Sequence, residues 1–378
     1  MKTKVFLIII LIICALPGCV KEFQPKTNNY DDLLVVDGAI TNEKGPYTIT
    51  LSKSTKIIQF SSLKLYSKCK VEIMDNIGNK EELKETSAGI YKTDSLNGIQ
   101  GIIGRKYKIK ITTPESERYE STEEEIKKPI GIQAVYPELQ HKNDPELFYG
   151  RDGYQFYVNT EKPATDTNCY LWVLEKTYKF KTDFPISSYY NADLKIKPFY
   201  PPDSLRLCYK HENILEVFVL STANKSQTQT TRIPLNYEDN YTKALTIRYS
   251  LNVKQYTLTE STYKYWETIK KITDKQGELY TQQPYQAKNN IINLTNSDKP
   301  ALGYFMAAGV ATKRIFTDAL PIAYRYPICP LPPAPQPPLP IDSYRWPIYL
   351  YYGKYFSDQG CVDCTVSGFL KKPDYWID

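Results

Sequence analysis

The sequence predicts a mainly β protein, on two observations. Tyr, Phe and Trp number 33, 13 and 4, so 13% of the chain is aromatic, a composition suited to the pleated, half-buried surface of a strand. Short runs also alternate apolar and polar residues with period two, as in Lys70-Val71-Glu72-Ile73-Met74 and Lys106-Tyr107-Lys108-Ile109-Lys110-Ile111, the pattern of strands that bury one face. The expected architecture is an N-terminal immunoglobulin-like or transthyretin-like β-sandwich, followed by a larger β-rich domain with one amphipathic helix. At 378 residues the chain is long enough for two or three domains.

Residues 1–18 read as a lipoprotein signal peptide. Lys2 and Lys4 form the basic start, and residues 5–16 are an apolar stretch too short for the about 20 residues that cross a bilayer core. Leu16-Pro17-Gly18-Cys19 then forms a lipobox, which makes Cys19 the lipidation site: it receives diacylglycerol, a palmitate-type anchor, and becomes the mature N-terminus. Val20 stands where an inner-membrane retention aspartate would, so the expected address is the outer membrane. Lys21-Glu22 resembles a surface-export signal with a single acidic residue, which leaves periplasmic and surface faces both open. Residues 19–32 are a polar tether.

The β-sandwich is assigned to residues 33–128. Its strands are expected at Leu34-Val35-Val36, Tyr47-Thr48-Ile49-Thr50-Leu51, Lys70 to Met74, Gly89-Ile90-Tyr91 and Lys106 to Ile111, with a turn at Asn76-Ile77-Gly78-Asn79. Glu123-Glu124-Glu125 to Pro129 is a charged, proline-ended stretch and is read as the boundary. In residues 129–378, Tyr154 to Val158, Tyr170 to Leu174, Asn213 to Leu220 and Leu245 to Val253 continue the strand signature. One helix is expected after the capping box Thr257-Leu258-Thr259-Glu260. Its stripe of Tyr263, Trp266, Ile269 and Ile272 is read as a core contact, with Gly277 as the stop. Residues 327–340 form a proline-rich surface loop, and a cysteine-containing tail closes the chain.

Six cysteines remain after Cys14 leaves with the signal and Cys19 is acylated. An oxidising compartment makes disulfides the expected use of Cys169, Cys208, Cys329, Cys361 and Cys364. Cys361-Val-Asp-Cys364 is read as structural rather than zinc-binding or redox, since neither a second cysteine pair nor a nearby histidine supports a metal. Cys329, Cys361 and Cys364 are expected to belong to one oxidised C-terminal staple; the connectivity stays open.

The net charge of +6 is dispersed, without the basic face of a nucleic-acid binder, and two histidines argue against a histidine-rich metal centre. No metal, cofactor or catalytic residue is assigned. His211-Glu212-Asn213-Ile214-Leu215 has Leu where a zinc protease needs its second His. Ser61 to Lys64 and Ser67 to Lys70 fit Ser-x-x-Lys without companion motifs, and His141 lies among Lys, Asn and Asp in an expected solvated linker. The chain is therefore not expected to be an enzyme. Two carboxylates meeting only in the fold would leave glycoside hydrolysis as an alternative, and a structural or adhesive envelope lipoprotein is another. Abundant Tyr and Trp suit a cleft for a glycan or peptide.

Specific segments carry a family resemblance. Leu34-Val35-Val36-Asp37-Gly38-Ala39-Ile40-Thr41-Asn42, Gly277-Glu278-Leu279-Tyr280 through Pro284 and Asn290, Leu302-Gly303-Tyr304-Phe305-Met306-Ala307, and the ending Cys361-x-x-Cys364-Thr365, Gly368, Lys372-Pro373 and Trp376 resemble, in that order, the domain-of-unknown-function 4249 family. The resemblance spans essentially the whole mature chain, and the proline-rich insertion departs from it. It implies an outer-membrane lipoprotein partnered with a TonB-dependent receptor, as an accessory that captures substrate or assists assembly, and it carries over no catalytic residues.

Overall fold

Period-two alternation has a direct structural consequence: Val71 and Ile73, or Ile109 and Ile111, all turn to one face and bury completely, while the lysines and glutamates between them face water. The computed structural model describes residues 32–55, 64–161, 168–223, 230–274, 287–332 and 346–378. Strands β1 (Leu34–Thr41), β2 (Thr48–Lys53), β3 (Lys64–Leu65), β4 (Lys70–Asp75), β5 (Lys80–Glu82), β6 (Lys84–Ser87), β7 (Ile90–Lys92), β8 (Lys106–Thr112), β9 (Arg118–Ser121) and β10 (Glu124–Glu125) come first. Longer strands follow: β11 (Ile132–Asp144), β12 (Leu147–Thr160), β13 (Cys169–Lys181), β14 (Ser188–Tyr190), β15 (Ile196–Pro198), β16 (Leu207–Ser221), β17 (Ile233–Asp239) and β18 (Arg248–Leu258). Helix α1 (Glu260–Asp274) precedes β19 (Ile291–Asn293), β20 (Leu302–Asp318), β21 (Ile348–Tyr351) and β22 (Lys354–Tyr355).

The protein is mainly β, with one α-helix among the described residues. A nine-stranded sheet runs β16-β13-β18-β20-β1-β2-β7-β6, with β3 on β2, and it serves two cores. Its β1 end faces the six-stranded sheet β19-β9-β8-β4-β5, where β10 also joins β8. Leu34, Val36, Ile40, Ile49, Leu51, Val71, Ile73, Tyr107, Ile109 and Phe305 fill that first sandwich. Its β16 end faces the three-stranded sheet β11-β12-β17 over a second core that includes Phe156, Val158, Trp172, Leu174, Tyr249 and Leu251. A small sheet, β15-β14-β21-β22, carries the C-terminal region.

The joint between the two cores is a single strand. The first half of β20 pairs in parallel with β1, from Val35 opposite Leu302 to Thr41 opposite Ala308. Its second half pairs antiparallel with β18, from Thr257 opposite Gly309 to Arg248 opposite Asp318. Two glycines make this possible. Gly303 has φ +85°, and a Cβ there would sit 1.9 Å from the Val36 carbonyl oxygen. At the change of partner, a Cβ on Gly309 would lie 2.1 Å from the Lys127 carbonyl oxygen, so the chain from the first sandwich could not pass so close. Side chains finish the backbone pairing. The Asn42 carboxamide takes the Val310 N–H at 2.5 Å, and the Asn290 carboxamide exchanges bonds of 3.0 and 2.8 Å with the Phe305 N–H and carbonyl, as buried polar groups require.

Three expectations change here. Residues 33–128 do not close a sandwich alone: β19 and the first half of β20 complete it from far along the chain. The stretch at Glu123 to Pro129, read as the boundary, begins inside the first sandwich: Glu124 lies in β10, paired opposite Tyr107, and is 2% exposed. The helix cap is Thr259, whose Oγ1 accepts from the Thr262 N–H at 3.3 Å, two residues beyond the expected Thr257. Thr257 instead lies within β18, one residue before its end, and accepts the Ile130 N–H at 3.1 Å. Gly277, the expected stop, and residues 333–340 of the proline-rich loop lie outside the described residues.

Candidate functional site: an aromatic cleft with one carboxylate

Alternation along β1 sends Val36 and Ile40 into the first core and leaves Val35, Asp37 and Ala39 on the outer face. Thr48 and Thr50 of β2, and Tyr304 and Met306 of β20, share that face. Helix α1 packs on the same face one sandwich over, where Tyr263, Tyr265, Trp266 and Ile269 cover Leu171, Val217, Tyr304 and Met306. Its edge overhangs β1 and encloses a cleft of about 440 Å³, within the size range of small-ligand sites.

One wall is continuous aromatic surface. The Tyr265 ring centroid lies 4.6 Å from that of Tyr304 and 5.5 Å from that of Trp266. Burial pushes the Tyr265 phenol up to about 12. The floor carries Asp37, the one charged side chain among the lining residues. Asp37 still reaches solvent, yet the crowded walls remove enough water to raise its carboxyl above the ordinary range. No described side chain pairs with it.

A buried polar cluster sets the position of the aromatic wall. Glu124 accepts hydrogen bonds from the hydroxyls of Tyr304 at 2.7 Å, Thr259 at 2.6 Å, Ser261 at 3.1 Å and Thr262 at 3.2 Å. Three of these donors belong to the cap and first turn of α1, where the helix dipole also favours an anion. Burial raises the Tyr304 phenol, so it stays a donor. One carboxylate thus fastens β10, β20 and the start of α1 together and fixes how far the helix stands from β1.

Two other concavities differ in chemistry. A smaller one, about 170 Å³, is lined by Asp32, Lys53, Tyr66, Glu115, Glu117 and Lys299. Its carboxylates are all engaged: Asp32 with Lys53 and Lys64, Glu117 with Lys299 and the Tyr119 hydroxyl, and Glu115 with the Tyr66 hydroxyl. Hydrogen bonds from Lys64 and Lys53 lower Asp32, and one from Tyr66 lowers Glu115, the opposite of what a glycosidase acid needs. An aromatic groove of about 400 Å³ lies between Tyr189, Phe199, Tyr200 and Tyr349 on the small C-terminal sheet, without a charged residue.

The cysteines divide cleanly. Cys208 bonds Cys364 and Cys329 bonds Cys361, with Cα separations of 5.6 and 5.9 Å. Cys361 and Cys364 therefore do not bond each other. They sit on successive 3₁₀ turns and face different cores, Cys361 that of Ile186 and Phe356, Cys364 that of the second sandwich. Cys169, expected in a disulfide, is a buried free thiol. Alternation in β13 turns it towards α1, 3.6 Å from the Ser221 hydroxyl and on the face opposite Cys364. Cys69 is also free and buried, its thiol raised to about 11 by desolvation. Cys19 lies outside the described residues.

The histidines are structural partners. His141 is in the β11–β12 hairpin rather than a linker, its Nδ1 2.9 Å from Asp152. His211 lies on β16 with Nδ1 2.9 Å from the Thr177 hydroxyl, and on a strand the helical spacing of a zinc-protease motif has no meaning. Among the described residues no group of three or more His, Cys, Asp or Glu is placed to hold a metal. Sequence reading missed Asp37, Tyr265 and Glu124 as site residues. Asp37 does interrupt an apolar run, but nothing local announces that a helix more than 200 positions later will overhang it.

A family model described as "Domain of unknown function (DUF4249)" matches residues 20–314. The chain belongs to that family. The DUF4249 match contains every residue lining the aromatic cleft, whereas the groove on the small C-terminal sheet extends past its end at Pro347 and Tyr349. The match stops short of the tail motif at Cys361 to Trp376. Within the DUF4249 segment, the two recognised motifs around Asp37 and Tyr304 are hydrogen-bonded neighbours, β1 and β20, and Asn290 is the clamp on Phe305. No curated protein and no solved structure matches.

Proposed function

We propose that this DUF4249 protein is a lipid-anchored outer-membrane lipoprotein that acts as the binding accessory of a TonB-dependent transporter. The observation that carries the reading is the aromatic cleft with a carboxylate that no described side chain pairs with, an arrangement suited to holding a ligand. The lipobox at Cys19 supports the anchor. An acyl chain on that residue would hold the body in the membrane plane and raise its effective concentration beside a barrel, so modest contacts suffice for a stable complex. The transporter partner follows from the family resemblance.

Purification of the full chain from mild detergent, through a tag after Asp378, is expected to recover a TonB-dependent barrel. Cys19→Ala is expected to leave uncleaved or mislocalised precursor without the lipid. Recovery with no barrel, together with turnover of a polysaccharide or peptide, would overturn the accessory reading in favour of a hydrolase.

A further inference from the structure

The cleft's composition narrows its ligand class. Asp37 is its single charge, and neither Lys nor Arg is among its lining residues, although the chain as a whole carries +6. Several basic side chains elsewhere are spent on acids: Lys53 and Lys64 on Asp32, Arg105 on Asp75, Lys254 on Glu175. Asp37 is open to solvent at the cleft floor and no described side chain pairs with it, so it is available to form an ion pair with an added cation. The neighbouring rings favour the same charge, because the faces of Tyr and Trp attract a cation through their quadrupole. Beside them, Val35, Ala39 and Met306 offer an apolar strip suited to an alkyl stem. The hydroxyls of Thr48 and Thr50 can accept hydrogen bonds from the remaining ammonium N–H groups.

We infer that the cleft between α1 and the outer face of β1, β2 and β20 binds a lysine side chain of a peptide ligand. The ammonium group meets Asp37 against the Tyr265–Trp266 wall, and the four-carbon stem lies along Val35, Ala39 and Met306. This rests on the reading of the protein as a binding accessory and names what it would capture. Glu124 contributes by position only: it holds Tyr304 and the start of α1, and so the width of the slot.

The test uses the full lipidated chain in detergent and two probes, Nα-acetyl-lysine methylamide and the matching norleucine compound, which lacks the ammonium group. Calorimetric titration is expected to show saturable binding of the lysine probe and at least tenfold weaker binding of the norleucine probe. Asp37→Asn is expected to weaken the lysine probe at least tenfold. Trp266→Leu should weaken it several-fold through loss of the cation–π contact, and it provides the second variant if Asp37→Asn is poorly folded. Equal binding of both probes, no saturable binding at millimolar concentration, or an unchanged affinity in folded Asp37→Asn would each overturn the inference. Co-purification with the barrel is read separately, so failure here would leave the accessory reading standing.

Discussion

The two ends of the molecule hold themselves together by different means. In the first sandwich, β-branched and aromatic side chains from both sheets bury completely, and Cys69 sits among them as a free thiol. The C-terminal sheet has only small buried clusters, around Ile186, Phe356 and Val362 and around Ile348, Leu350 and Tyr355. Cys329–Cys361 lies in the first of these clusters, and Cys208–Cys364 ties the tail to the core of the second sandwich. Small assemblies cannot remove enough apolar surface from water to offset chain entropy, so covalent links take over. Aromatic packing completes the attachment: Trp376 at the tail lies edge-on to Tyr209 at 5.0 Å and to Phe316 at 5.5 Å. Cys169 stays a free thiol in the small cluster under α1, so the face of the sheet a cysteine occupies, rather than the size of its core, decides which cysteines pair.

The largest expected effect lies on the apolar side. Gly303→Val would place a side chain against the Val36 carbonyl and force a β-branched residue into positive φ, costing about 2–6 kcal/mol. Both cores share β20, so denaturant unfolding is expected to show both sandwiches weakened together. If the second sandwich kept its wild-type midpoint, β20 would not be the common element described.

Removing Cys208–Cys364 by a double Ala substitution is expected to cost about 2–5 kcal/mol. The sequence separation of 156 residues exceeds the 32 of Cys329–Cys361, so the long link is expected to contribute on the order of 1 kcal/mol more. Hydrogen exchange should rise in β14, β15, β21 and the tail while β4 and β8 stay protected. Thiol labelling of the native oxidised chain should leave Cys69 and Cys169 unmodified, since both are buried with raised thiol pKa values. Rapid native labelling of either would break the contrast.

Glu124→Ala should cost about 2–4 kcal/mol, because four hydroxyls lose a buried charged acceptor. The loss is expected at the α1–β10–β20 contact, so exchange should increase in α1 before the β4–β8 pair. Glu124→Gln keeps the shape and some of the hydrogen bonding, and its cost should be smaller. An equal loss in both variants would show that the charge, rather than the hydrogen-bonded geometry, holds the latch.

The sequence was most informative where a side chain's role depends on its immediate neighbours. Strands from Lys70 to Met74 and from Lys106 to Ile111 are readable because the pleat alone decides which residues face inward. The helix was readable from its periodicity, though its start moved to Thr259, since Thr257 was claimed by a hydrogen bond from Ile130, remote in sequence. The Glu123 to Pro129 stretch shows the same dependence on remote partners. Charge and proline mark a boundary locally, but Glu124 is buried and hydrogen-bonded by hydroxyls from α1 and Tyr304 that no local window contains.

What the sequence determined by itself was the class of fold, the family, the strand faces and the cysteines available for crosslinking. All of these rest on residue type and short-range periodicity, which survive without knowledge of the rest of the chain. Only the tertiary structure decided that β20 would be shared between two cores, that Cys208 rather than Cys169 would meet Cys364, and that Asp37 would lie beneath Tyr265 and Trp266. Each of those outcomes depends on contacts between residues more than 100 positions apart. Their energy comes from burial and pairing that exist only once both partners are in place.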